Sequence, residues 1–84
     1  MIQNKYIYLT KVVDYTEGNH PNGIDLGYVL HGLVIDFNIG EQLYLYQIIN
    51  GYHVTSAWTS KVVDFDEETM LLKTENSVYK VDII

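Results

Sequence analysis

The chain has 84 residues, no cysteine, and a formal net charge of −6 that includes lysines but no arginine. Disulfides and thiolate metal sites are thereby excluded, and an acidic chain without guanidinium groups is a poor match for nucleic-acid polymers or an anionic membrane surface. A hydrophobic fraction of 48% is high for one small domain over 1–84, which implies an efficiently closed sheet or an apolar face kept for another subunit.

Side chains alternate with a period of two almost throughout, so six strands are predicted. The first is Lys5 to Tyr15. Ile7, Leu9 and Val13 share one parity, interrupted by Lys11, and Tyr6, Tyr8 and Val12 share the other. A bulge near Lys11 would reconcile the two faces. Thr16 to Asp25 holds Gly18, Pro21 and Asn22-Gly23 and reads as one long loop. Long loops in small domains often carry function.

The second strand is predicted over Gly27 to Phe37, followed by a turn at Asn38-Ile39-Gly40. The third is Glu41 to Ile49, where Leu43 and Leu45 form one face and Tyr44 and Tyr46 the other. Asn50-Gly51 predicts a type I′ hairpin, because both central residues of that turn need positive φ. A long or broken fourth strand runs from Tyr52 to Val63, and Asp66 to Thr69 is a charged turn. Met70 to Thr74 is the fifth strand, Glu75-Asn76 a turn, and Ser77 to Ile84 the sixth. Short strands joined by tight turns favour closure, which hides sheet edges. The expected fold is all-β, a six-stranded SH3-like barrel, with an OB-like barrel as runner-up.

Thr59-Ser60-Lys61-Val62 followed by Thr74 to Tyr79 gives the pattern T-S-x-V, then T-x-N-S-x-Y. Together with the "LTKVVDY" start, this pattern resembles small uncharacterised barrel-like proteins of phages and mobile genetic elements. The resemblance implies a phage accessory protein. It further implies an anti-defence role, by blocking a defence protein or by sequestering a nucleotide signal. It supplies no catalytic residues.

The residues themselves argue against catalysis. His20, His31 and His53 lack any spacing that puts two on one element, so no metal site is expected. His31 is expected to be half-buried with a satisfied ring nitrogen. Ser56, Ser60 and Ser77 sit in no nucleophile elbow. Gly23 to Gly27 lacks the Lys-Ser/Thr ending of a phosphate loop. Asp64 and Asp66 share a strand face beside an exposed turn, which is the ordinary place for solvated carboxylates. No cofactor is expected, and the chain is read as a non-enzyme.

Aromatic residues give the best lead. Tyr44, Tyr46, Tyr52 and Trp58 cluster around the Asn50-Gly51 hairpin. Exposed, they would anchor a protein partner or stack a nucleobase; in the alternative reading they pack within the chain or form cross-strand pairs. Thr59, Ser60, Lys61, Asn76 and Ser77 complete the candidate binding set, with turn chemistry as the simpler explanation of the hydroxyl and amide groups. The leading expectation is a protein–protein inhibitor. The alternatives are a protein that sequesters a nucleotide-like ligand in an aromatic pocket, possibly between subunits, and a structural phage subunit. Apolar residues on both parities of the early strands predict a homo-oligomer, most simply a dimer.

Overall fold

The computed structural model describes residues 2–15 and 26–84. The predicted long loop and His20 lie outside the described residues.

Six antiparallel strands form a closed barrel in the order β1-β2-β3-β4-β5-β6. They are β1 (Tyr6–Asp14), β2 (Val29–Leu33), β3 (Gln42–Ile49), β4 (Tyr52–Asp66), β5 (Leu71–Thr74) and β6 (Ser77–Ile83). Sequential strands pair as a meander, and β1 against β6 shuts it. The fold is therefore the expected all-β small barrel, compatible with both the SH3-like and the OB-like class.

Alternation explains the core. Ile7 and Leu9 on β1, Leu43 and Leu45 on β3, Leu72 on β5 and Val81 on β6 point inward and are buried. Their even or odd partners face out, as a pleated strand requires. Phe37 returns to the core from the loop after β2 and meets Phe65 edge-on, with ring centroids 5.8 Å apart.

The structure corrects the first strand in one respect. Lys11 does not interrupt the inward face; it belongs to it, with its side chain fully buried. The register of β1 against β6 shifts between Lys11 and Val13, so the expected bulge exists and Val12 is the extra residue. Without it, residues 11 and 14 would point to opposite faces. With it, Lys11 Nζ reaches Asp14 Oδ2 at 2.8 Å. The same slip sends Val13 outward, where it is exposed.

Strand β2 is also shorter than the predicted Gly27 to Phe37. The chain leaves the ladder at Val34, whose N–H donates to Lys5 O at 2.9 Å and whose carbonyl accepts from Asn4 N–H at 2.7 Å. These bonds continue the β1 side of the ladder into the N-terminal segment. On its other edge β2 pairs with β3 at one position only, Leu33 with Tyr46. Strand β4 is longer than predicted and ends at Asp66, whose Oδ1 accepts the N–H of Glu68 at 2.9 Å and caps the following turn. Asn50 and Gly51 have φ of 51° and 81°, as the predicted hairpin turn requires.

Tyr79 on β6 stands directly across from Lys11 and is 2% exposed. Burial raises its phenol above the ordinary 10.0, the nearby Ser77 hydroxyl partly offsets this, and the Asp14 carboxylate adds to it. The folded chain thus holds the Tyr79 proton to a higher pH than the unfolded chain does. The stability this contributes is intact below the unfolded value and is lost as pH rises through the folded one. The melting temperature is expected to fall more steeply above about pH 10 for the parent than for Tyr79→Phe. Parallel melting curves for the two proteins across that range would contradict the assignment.

Candidate functional site

Strands β3 and β4 carry the predicted aromatic set. Because Leu43 and Leu45 fill the core, Tyr44 faces out at 38% exposure and Tyr46 is partly exposed. The open question of parity is thus answered in favour of accessible rings. Tyr44 lies directly across from Trp58, and Gln42 from Lys61. Residues 58 and 61 would fall on opposite faces of a regular strand. A register shift between these pairs sets two residues, Thr59 and Ser60, against Leu43 alone. The bulge turns both Trp58 and Lys61 outward, where both are exposed.

Thr59 pins that bulge. It is 2% exposed, its Oγ1 accepts Leu43 N–H at 3.3 Å, and the same hydroxyl donates to Ser60 O at 2.7 Å. A second shift in the same pairing leaves Ser56 as an extra residue, and its hydroxyl donates to Leu45 O at 3.0 Å. Sequence reasoning weighed Ser56 only as a nucleophile and missed this role. The available signal was its position within an over-long strand.

The two halves of the polar sequence pattern meet across β4 and β5. Ser60 Oγ accepts Asn76 N–H at 3.2 Å, and Glu75 N–H donates to Lys61 O at 3.0 Å. Thr74 Oγ1 accepts Ser77 N–H at 3.1 Å and donates to Ser77 O at 3.2 Å. Ser77 is 1% exposed. Thr59, Ser60 and Thr74 therefore perform turn and bulge chemistry through their hydroxyls, Asn76 and Ser77 take part through backbone atoms, and Thr59 and Ser77 are closed to any external ligand.

A cleft of about 470 Å³ opens beside the tyrosines, lined by Asp36, Gly40, Glu41, Gln42, Tyr44, Tyr46 and Lys61. Its outer wall is the loop between β2 and β3. That loop is fastened to β4 by Gly40 N–H donating to Val62 O at 2.8 Å and Val62 N–H donating to Glu41 O at 2.9 Å. The Tyr44 and Tyr46 ring centroids are 6.5 Å apart with planes tilted 40°. The Tyr44 hydroxyl donates to Gln42 Oε1 at 2.9 Å, and Glu41 Oε2 accepts from Asn38 Nδ2 at 3.1 Å.

Family models, curated proteins and solved structures yield no match to this chain.

Three of the candidate residues, Tyr44, Tyr46 and Lys61, thus converge on one cleft, and Trp58 flanks Tyr44 on the next strand. Tyr52 does not join them. It stands at the hairpin tip opposite Ile49 and is 75% exposed. Beyond Tyr46, β3 pairs with β4 alone, so the hairpin continues as a two-stranded arm. Ile48 is 67% exposed, and Ile49 and Val54 are exposed as well. Side chains on both faces of the arm are therefore open to solvent.

A polar cluster sits at the root of the arm. His31 Nδ1 is 2.7 Å from the Tyr6 hydroxyl and 3.1 Å from Gln47 Nε2. Since an amide nitrogen only donates, Nδ1 is the acceptor of this arrangement. The Tyr8 ring meets the imidazole edge-on at 5.5 Å. His31 is exposed rather than half-buried, but its ring nitrogen is satisfied as expected. Among the described residues, no group of three or more His, Asp or Glu side chains is placed to hold a metal ion. Among them, too, no helix is long and apolar enough to cross a membrane.

Proposed function

We propose that the protein is a non-catalytic binding protein, a cytoplasmic phage accessory factor that inhibits a bacterial defence protein by direct contact. One observation carries this reading: the β3–β4 arm exposes Ile48, Ile49, Tyr52 and Val54 across both faces. An isolated two-stranded ribbon is marginal in water. Exposed apolar side chains grouped at one end of the molecule in this way mark a contact surface for a partner. Tyr52 and Trp58 add aromatic anchors that freeze few rotamers on binding. The net charge of −6 favours a basic partner and fast association at low salt.

The same arm supports self-association, and a dimer is part of the proposal. Light scattering is expected to give a dimer that Ile48→Lys dissociates. A monomer at every concentration overturns the dimer. Affinity capture from bacterial lysate is expected to return one stoichiometric protein with the parent chain and to lose it with Tyr52→Ala combined with Ile48→Lys. An identical captured set for parent and variant overturns the inhibitor reading.

A second reading, sequestration of a nucleotide-like signal, has one observation in its favour. Tyr44 and Tyr46 line the same cleft as Lys61, which pairs stacking surfaces with a cation. The carboxylates of Asp36 and Glu41 in that cleft weigh against a phosphate.

A further inference from the structure

We infer that the cleft between β3, the start of β3's preceding loop and Lys61 receives a cationic side chain, arginine or lysine, presented by the protein partner. The inference rests on the protein-binding reading and names what that partner presents. Four observations carry it. The cleft, at about 470 Å³, falls within the range of preformed sites for small groups and accommodates a guanidinium with its aliphatic stem. Two of its lining residues are the aromatic Tyr44 and Tyr46, and a cation within about 6 Å of such a ring face is attracted by its quadrupole.

The third observation is charge. Two carboxylates, Asp36 and Glu41, line the cleft against one ammonium, Lys61. Among the described residues no ion pair joins Lys61 to either carboxylate. The site is left with a net negative charge, inside a chain that is itself acidic. A phosphate entering here meets repulsion from both carboxylates, whereas a guanidinium gains from both. Fourth, one polar atom on the wall is committed in a sense that suits a cation. The Tyr44 hydroxyl proton is given to Gln42 Oε1, which leaves the phenol oxygen as an acceptor beside the ring.

Lys61 makes the assignment testable in both directions. For a cationic guest it is a like charge, so removing it strengthens binding. For a phosphate it is the attractive group, so removing it weakens binding.

The probe is the acetylated tripeptide Gly-Arg-Gly amide, titrated into the full chain and followed through backbone amide chemical shifts. Saturable shifts are expected at Gln42, Tyr44 and Tyr46, in the millimolar range usual for one side chain, and they weaken with added salt. The double variant Asp36→Asn with Glu41→Gln weakens the peptide about tenfold, and Lys61→Ala strengthens it about twofold. Adenosine monophosphate under the same conditions gives no saturable shift at these residues. All substituted positions are solvent-exposed, and a dispersed spectrum for each variant verifies folding. Absence of saturable shifts with the arginine peptide overturns the inference. So does an unchanged affinity in the double variant, or a loss of affinity in Lys61→Ala. If the peptide fails while lysate capture through the arm persists, the cleft assignment falls and the protein-binding reading stands.

Discussion

Gly32→Ala is expected to cost the barrel about 2–3 kcal/mol, the upper part of the range for overpacking. A Cβ at this position would lie 2.9 Å from Leu45 Cβ and 3.0 Å from both the nitrogen and the oxygen of Tyr46. Two of the three obstacles are backbone, which has no rotamer to move aside, and Leu45 is itself fully buried. The neighbouring residue, Leu33, supplies the one paired position between β2 and β3. Displacement therefore strikes the seam with the fewest hydrogen bonds to absorb it. A domain of this size has roughly 4–12 kcal/mol in total, so the loss is a large share. Urea denaturation is the measurement. Gly40→Ala serves as a control, since that position has open space around it and a φ of 90°, and should cost only about 1 kcal/mol. Equal midpoints for Gly32→Ala and the parent would show that β2 does not approach β3 this closely.

Asp14→Ala is expected to be comparably damaging, by about 3 kcal/mol, the lower end of the range for removing one partner of a buried pair. Lys11 is wholly enclosed, while Asp14 retains partial solvent contact, with side-chain exposures of 0% and 18%. Loss of the carboxylate leaves the ammonium in the barrel interior with less compensation. For a chain this short, such a loss lowers the melting temperature by about 12–24 °C. Adding Lys11→Met to the variant should recover part of the loss, because a neutral side chain of similar length removes the charge that the barrel must otherwise bury. If the double variant is no more stable than Asp14→Ala, the pair contributes through packing and not through charge.

Much of this architecture was legible in the residues. Period-two alternation located all six strands and Asn50-Gly51 located the hairpin, while alternation put Tyr44 and Tyr46 on one face opposite Leu43 and Leu45 and left open which of the two faces was the core. What escaped has a common physical origin. An inserted residue reverses the parity of everything after it, and alternation cannot reveal where the insertion falls. Lys11 therefore looked like a break in an apolar face when it is a member of it. Trp58 and Lys61 share a face only because Thr59 and Ser60 stand opposite one residue. The cleft was invisible for another reason. It depends on Gly40 and Glu41 being fastened to Val62 through backbone atoms, and backbone bonds between distant segments carry no side-chain signature. The extent of β2 was overestimated because alternation continues through Val34 and Ile35 into the loop, while the ladder to β3 is a main-chain pairing that ends at Leu33.

The first and last strands complete the barrel wall, with Ile7 beside Ile83 and the amide of Ile84 bonded to Tyr6 O at 3.0 Å. That geometry orders events as the chain assembles. Neighbouring strands need only short loops to meet, whereas joining the two ends requires nearly the whole polypeptide to be gathered first, at a greater entropic penalty. The ribbon of β3 and β4 is thus expected to form before the ring is shut by β1 and β6.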